Sequence, residues 1–182
     1  MEQVFAPWRI EWVRRDEKNP DVESCVFCEL PERDADRENL VVARSTHAFV
    51  LLNNAPYNPG HVMVVPRVHG GAYEALDDDV LLDHARLKRR TIRALDAAVE
   101  PHAYNVGMNL GGGPAGGSIA DHVHTHVVPR YEGDTNFMPV VSDTKVVVEA
   151  IRETYDHLHV AFAAQEGATA TDGETAVDLD LD

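Results

Sequence analysis

Three histidines at alternate positions, His122-Val-His124-Thr-His126, constrain this chain more than any other stretch. Side chains on a strand alternate between faces, so positions i, i+2 and i+4 share one side, whereas on a helix they splay apart. The segment from His122 to Pro129 therefore reads as a strand with three imidazoles in a row on one face. Val123 and Val127 turn the other way, into a core. Adjacent imidazoles resist being charged together, so some are neutral at pH 7 and available as nucleophile, donor or metal ligand. Metal binding is the competing use, because His-x-His on a strand is also a ligand pair.

The loop just upstream, Gly111-Gly-Gly-Pro-Ala-Gly-Gly117-Ser118, is rich enough in glycine to turn main-chain N–H groups inward as an anion-binding nest. A nest alone is a weak signal; joined to three histidines it points to phosphate chemistry. Charge narrows the partners further. Lys and Arg total 16 against 31 Asp and Glu, a net charge of −15, which excludes a broad basic surface for duplex nucleic acid. No apolar run reaches the ~20 residues of a membrane-spanning helix, and the opening MEQVFAPWRIEWVRR does not read as a signal peptide, so a cytoplasmic location is expected. Aspartate is abundant while lysine is confined to Lys18, Lys88 and Lys145, a bias that suits a salt-rich cytoplasm.

Around the histidines the chain divides into an arm, a domain and a tail. Residues 1–38 are polar, carry the two cysteines and read as an arm, in which Trp8 and Trp12 pack on the core or a partner chain. Residues 39–165 read as one domain. Short β-rich runs at Asn39–His47, Ala48–Asn53 and His61–Pro66 predict an antiparallel meander, and Ala103–Leu110 predicts a further strand. Val80, Leu81, Leu87, Ile92, Leu95 and Val99 form a stripe that predicts a helix over Asp77–Val99, its acidic start matching the helix dipole. Arg86, Lys88, Arg89, Arg90 and Arg93 then form a solvated face. A second helix is expected over Asp143–Gln165. From Glu166 onward six acidic residues and no basic one predict a disordered acidic tail.

His-Val-His-Thr-His-Val-Val resembles the signature of the histidine triad nucleotide-binding proteins, His-φ-His-φ-His-φ-φ with φ apolar, departing from it only at Thr125. The likeness runs from about Asn39 to Lys145 through NAPYNPGHVMVVP, NVGMNL and AGGSIADHVHTHVVPRYEGDTNF. PWRIEW and GDTNFMPV look most like the branch containing diadenosine tetraphosphate phosphorylases and related hydrolases. The resemblance implies an α+β fold with a five-stranded antiparallel sheet and two main helices, dimerising through sheet and helix. It implies chemistry at the α-phosphate of a dinucleoside polyphosphate or nucleoside phosphoramidate, an adenine nucleotide foremost, and no organic cofactor. His124 would attack phosphorus and carry a covalent nucleotidyl group, with water, orthophosphate or another acceptor resolving it. His126 would contact the phosphate or departing group, and His61 would assist the triad. Asn53 matches a ribose contact and Asn109 a phosphate contact. Ser118 stands where many members carry Gln, leaving the main-chain amides of Gly117 and Ser118 to meet developing charge. A phosphorylase, a binding module with negligible turnover and a metalloenzyme using the triad as ligands are the competing readings.

Cys25-Val-Phe-Cys28 alone is a redox pair, half a zinc site or an accident of sequence. The resemblance implies a structural zinc here, with His69 and His122 completing the set of Cys25, Cys28, His69 and His122. His47, His84, His102, His157 and His159 carry no partner pattern and are expected at the surface or on helix faces.

Overall fold

The structure, a computed structural model, describes residues 21–111, 115, 119, 121–134 and 150–181. The expectations for Trp8, Trp12, Gly117, Ser118 and residues 143–149 lie outside the described residues. Among the described residues seven strands form one mixed sheet: β1 (Val41–Arg44), β2 (Ala48–Leu52), β3 (Val62–Pro66), β4 (Ala103–Gly107), β5 (Thr125–Arg130), β6 (Ala168–Thr169) and β7 (Val177–Leu179), in the order β4-β5-β3-β2-β1-β7-β6. β1 through β5 pair antiparallel, and the β1–β2–β3 meander is present. β7 joins β1 in parallel, and β6 pairs antiparallel with β7. Three α-helices accompany the sheet among the described residues: α1 (Val26–Glu29), α2 (Asp78–Val99) and α3 (Ile151–Ala163).

Two expectations fail together at the C-terminus. The sheet is mixed and seven-stranded rather than five-stranded and antiparallel, and the segment after Glu166 supplies both extra strands instead of a disordered tail. The physical reason lies in Val177-Asp-Leu179-Asp-Leu181, where apolar and acidic residues alternate with the strand period. Val177 and Leu179 point into the helix-covered core, while Asp178 and Asp180 take the solvent side. Around this hairpin Asp36 accepts the Ala176 amide, and Arg37 forms a paired hydrogen bond with Asp156 on α3.

The two sheet faces do different work. Val42, Val50, Leu52, Val62, Val64 and Val127 face α2 and α3 and pack on Leu87, Leu95, Tyr155, Leu158 and Phe162. Burial of this face supplies the main driving force for folding, at roughly 25 cal/mol per Å² of apolar surface removed from water. α2 is capped by Asp77, carries Asp78 and Asp79 in its first turn and is closed by Glu100, whose left-handed backbone precedes Pro101. The opposite face carries Val41, Phe49, Leu51, Met63 and Val65, joined by Phe27 from the arm. Met63 is the register partner of His126, so the histidine row lies on this second face, away from the helices.

Candidate active site and metal centre

The strand holding the histidines starts later than its pattern suggests. β5 opens at Thr125, and His122 and His124 form the run-in to it, with the Val123 amide bonded to the Gly70 carbonyl instead of to a strand neighbour. Alternation nevertheless persists. Thr125 and Val127 face the helices, whereas the rings of His124 and His126 meet on the other face with centroids 5.0 Å apart.

His124 is buried, and its Nδ1 lies 2.9 Å from the main-chain oxygen of His122. A carbonyl only accepts, so Nδ1 carries the proton and Nε2 keeps its lone pair. Burial pushes the His124 pKa below the ordinary histidine value, partly offset by that hydrogen bond, which keeps the ring neutral at pH 7. A neutral imidazole in one tautomer is what nucleophilic attack requires.

His61 and His126 are set by a relay. The Tyr57 amide donates to His61 Nδ1 at 3.1 Å, so the His61 proton sits on Nε2. That Nε2 is 3.0 Å from His126 Nδ1, which must therefore accept, leaving the proton of neutral His126 on its own Nε2. The result is an N–H donor on the ring beside His124. Gly60 makes the approach of His61 possible. Its φ is +78°, and a Cβ there would lie 3.1 Å from Pro129 and 3.2 Å from Val99. The Tyr57 ring stacks on His61 at 4.9 Å, and Asn58 ties the same loop to the Pro129 carbonyl and to Asp134.

His122 has a different set of neighbours. Its Nε2 donates to the Pro66 carbonyl at 2.8 Å, which leaves Nδ1 unprotonated. That Nδ1 lies 3.4 Å from Cys25 Sγ and 3.7 Å from Cys28 Sγ, while Cys28 Sγ lies 3.4 Å from His69 Nδ1. The donor atoms of Cys25, Cys28, His69 and His122 all fall within 4.8 Å of one another. Tetrahedral zinc with bonds of about 2.3 Å to sulfur and about 2.1 Å to nitrogen separates a sulfur and a nitrogen ligand by about 3.6 Å. The donor set and its spacing therefore fit a four-ligand zinc site. The thiols are not joined as a disulfide, and burial, with Cys25 alongside, pushes the Cys28 pKa up to about 11, so a cation is needed to hold Cys28 as a thiolate. His124 and His126 stand outside this group.

Asn53 directly follows β2, its amide bonded to the His61 carbonyl at 2.9 Å; its Oδ1 accepts the Ala55 amide and its Nδ2 points at Met63 Sδ, 3.7 Å away. Asn109 is exposed beyond the end of β4. Two expectations about the remaining histidines change. His84 is buried on α2 with Nε2 3.3 Å from the Val64 carbonyl and 3.1 Å from Thr125 Oγ1, and His159 is buried on α3 against the Thr175 carbonyl. Thr125, polar at an apolar position of the triad pattern, thus meets a polar partner behind the strand. Sequence reasoning also missed Phe27, whose ring lies 5.5 Å from that of His122 and 5.0 Å from that of His124. The signal available was its place between the two cysteines.

A family model described as HIT domain matches residues 35–133. The chain is 37% identical over 170 residues to a Mycobacterium tuberculosis protein named AP-4-A phosphorylase, covering 91% of this chain and 86% of that protein. It is 31% identical over 107 residues to the adenosine 5'-monophosphoramidase of Schizosaccharomyces pombe, covering 59% of this chain and 74% of that one. Among solved structures, a zinc-bound histidine triad family protein from Mycobacterium smegmatis matches with a TM-score of 0.60 at 23% identity, covering 77% of this chain and 94% of that one.

Proposed function

This chain belongs to the HIT domain family, and on that premise we propose that it transfers a nucleotidyl group from a dinucleoside polyphosphate through His124, with orthophosphate as the favoured acceptor. The observation that carries this reading is the 2.9 Å contact of His124 Nδ1 with the His122 carbonyl, which aims a neutral Nε2 lone pair away from the main chain. Nε2 attacks the α-phosphorus; a P–N bond forms, the bridging P–O bond breaks, and its electron pair leaves with the departing nucleotide. His126, its proton on Nε2 by the His61 relay, donates to that departing group or to a phosphate oxygen. An oxygen of orthophosphate then attacks the same phosphorus, the P–N bond breaks, and His124 recovers its lone pair.

Supporting contacts follow from the same frame. Sulfur is a weak acceptor, so Asn53 Nδ2 can exchange Met63 Sδ for a ribose oxygen. Asn109 and the main-chain amides of Gly117 and Ser118 are the proposed phosphate contacts, and adenine the proposed base. Cys25, Cys28, His69 and His122 would hold a structural zinc, which with four protein ligands adds no reacting group and ties the arm to the sheet. The catalytic unit runs from residue 39 through the C-terminal strands, which share its core. A homodimer through β4 is supported by that strand's place at the sheet edge and by exposed Val106. None of the described helices is long and apolar enough to cross a membrane, and the acid-rich, lysine-poor composition supports work in a salt-rich cytoplasm.

Incubation with diadenosine tetraphosphate, with and without orthophosphate, tests the acceptor. ADP and ATP formed only with orthophosphate are expected. AMP and ATP formed without it would assign water as the acceptor, the hydrolase alternative, and absence of products under both conditions would contradict nucleotidyl transfer from this substrate.

A further inference from the structure

The turn that carries the two cysteines also carries a ring onto the nucleophile. Cys25-Val-Phe-Cys28 closes as one helical turn, with the Cys25 carbonyl accepting the amides of Cys28 and Glu29 at 2.9 and 3.0 Å. Ser24 braces the turn from outside through its amide and hydroxyl, both bonded to Glu29. This geometry sends Sγ of both cysteines toward His69 and His122 and leaves the Phe27 side chain directed at the sheet, 2% exposed. There Phe27 lies tilted by 49° on His124, while the ring of His126 stands at 78° to it at the same centroid distance of 5.0 Å. The His124 ring is thus bounded by an apolar ring, by its partner histidine, and by the His122 carbonyl at Nδ1.

We propose that Phe27 is a positioning residue for His124 and that the Cys25–Cys28–His69–His122 cluster sets its place. The inference rests on His124 being the nucleophile. Two routes join the cluster to that ring. The first is main-chain: His122 gives its side chain to the cluster and its carbonyl to His124 Nδ1–H. The second is packing: Phe27, fixed on each side by the residues of the Cys-x-x-Cys turn, denies the His124 ring room to rotate and shields the Nδ1–H bond from water. A ring free to flip would place the lone pair on the wrong nitrogen for part of the time. The cluster therefore acts on the rate of the chemical step, beyond holding the arm to the sheet.

The test compares the zinc-loaded full chain with Phe27→Ala and Phe27→Leu. Imidazole ¹⁵N shifts assign the His124 tautomer, metal content is measured by mass spectrometry, and kcat and KM are measured with diadenosine tetraphosphate. In the alanine variant we expect metal content to hold and His124 to populate both tautomers. kcat should fall about 10- to 100-fold while KM stays within about twofold, as misplacement of a reacting group affects the transition state more than binding. Leucine restores bulk and should recover most of kcat and the single tautomer, which also guards against simple misfolding of the alanine variant. A single Nδ1–H tautomer in the alanine variant, or equal losses in both variants, overturns the proposal. The tautomer reading stands apart from turnover: a wild-type protein that holds the tautomer but transfers no nucleotidyl group would count against His124 as nucleophile, not against Phe27 as the restraint on its ring.

Discussion

His122 and His124 are two residues apart, of the same type and both buried, yet their ring nitrogens are used in opposite ways. His122 spends Nε2 on the Pro66 carbonyl and turns a bare Nδ1 to two thiols. His124 spends Nδ1 on a carbonyl and leaves Nε2 with the lone pair. The first choice depends on a carbonyl far away in sequence, the second on one only two residues back in the same run. An imidazole is assigned by whichever carbonyl reaches it first, and the remaining nitrogen inherits the chemistry of what lies opposite: cysteines from the arm in one case, the relay of His61 and His126 in the other.

The contrast breaks most sharply at His124 itself. His124→Ala should lower turnover on the order of 10⁴-fold or more while zinc content stays unchanged, read by product chromatography and metal analysis. Turnover within tenfold of wild type would remove His124 from the chemistry. The mirror experiment is Cys25→Ser, which should empty the cluster and lower the melting temperature by about 5–10 °C, equivalent to roughly 2–3 kcal/mol for a domain of this size. Because His124, His126 and His61 remain, measurable activity should survive, reduced about tenfold through the loss of restraint on His124. Complete inactivity at unchanged melting temperature would instead make the cluster catalytic.

The relay sharpens the same comparison with a smaller effect. In His61→Ala, His126 loses the partner that fixes its proton on Nε2, and kcat should fall about 10- to 100-fold with KM and zinc content steady. An unchanged kcat would show that the tautomer of His126 is set elsewhere. Smaller still is the effect expected from the helix side of the strand. Thr125→Val keeps shape and removes one hydrogen bond to His84, so it should cost about 1 kcal/mol in chemical denaturation and leave kcat near wild type.

His84 also gives a pH dependence with a definite sign. Burial lowers its pKa, as does Lys88, while the Val64 carbonyl and Asp83 push the other way. The unfolded chain therefore takes up a proton at His84 at a pH where the folded protein does not. This contribution is fully present above about pH 6.5 and is lost as pH falls from there toward the folded-state pKa. Urea midpoints at pH 7.5 and 5.5 should differ in that direction, and His84→Gln should flatten the difference; an identical slope would place the linkage on other groups.

Much of this was legible in the residues. Alternation of His122, His124 and His126 specified one shared face, and the apolar stripe from Val80 to Val99 located α2 to within a residue of its start. These signals are local periodicities, which a chain cannot hide. What escaped were features set by partners far away. The C-terminal strands were obscured because charge dominates composition even where Val177, Leu179 and Leu181 keep the strand period. The burial of His84 depended on a threonine 41 positions away, and the contact of Phe27 with His124 on a turn from outside the sheet. Likewise β5 began at Thr125 because the preceding residues bond to Gly70 and Pro66, which no pattern within the triad encodes.

One measurement bears most directly on the division between His122 and His124. The protein is mixed with diadenosine tetraphosphate without orthophosphate, quenched in alkali during the first turnover, digested, and fragmented by mass spectrometry. A single adenylyl group on His124, discharged when orthophosphate is added, is the expected result. Turnover with no adduct on that peptide, or an adduct on His122 or His126, would contradict the assignment of His124 as the residue that carries the nucleotidyl group.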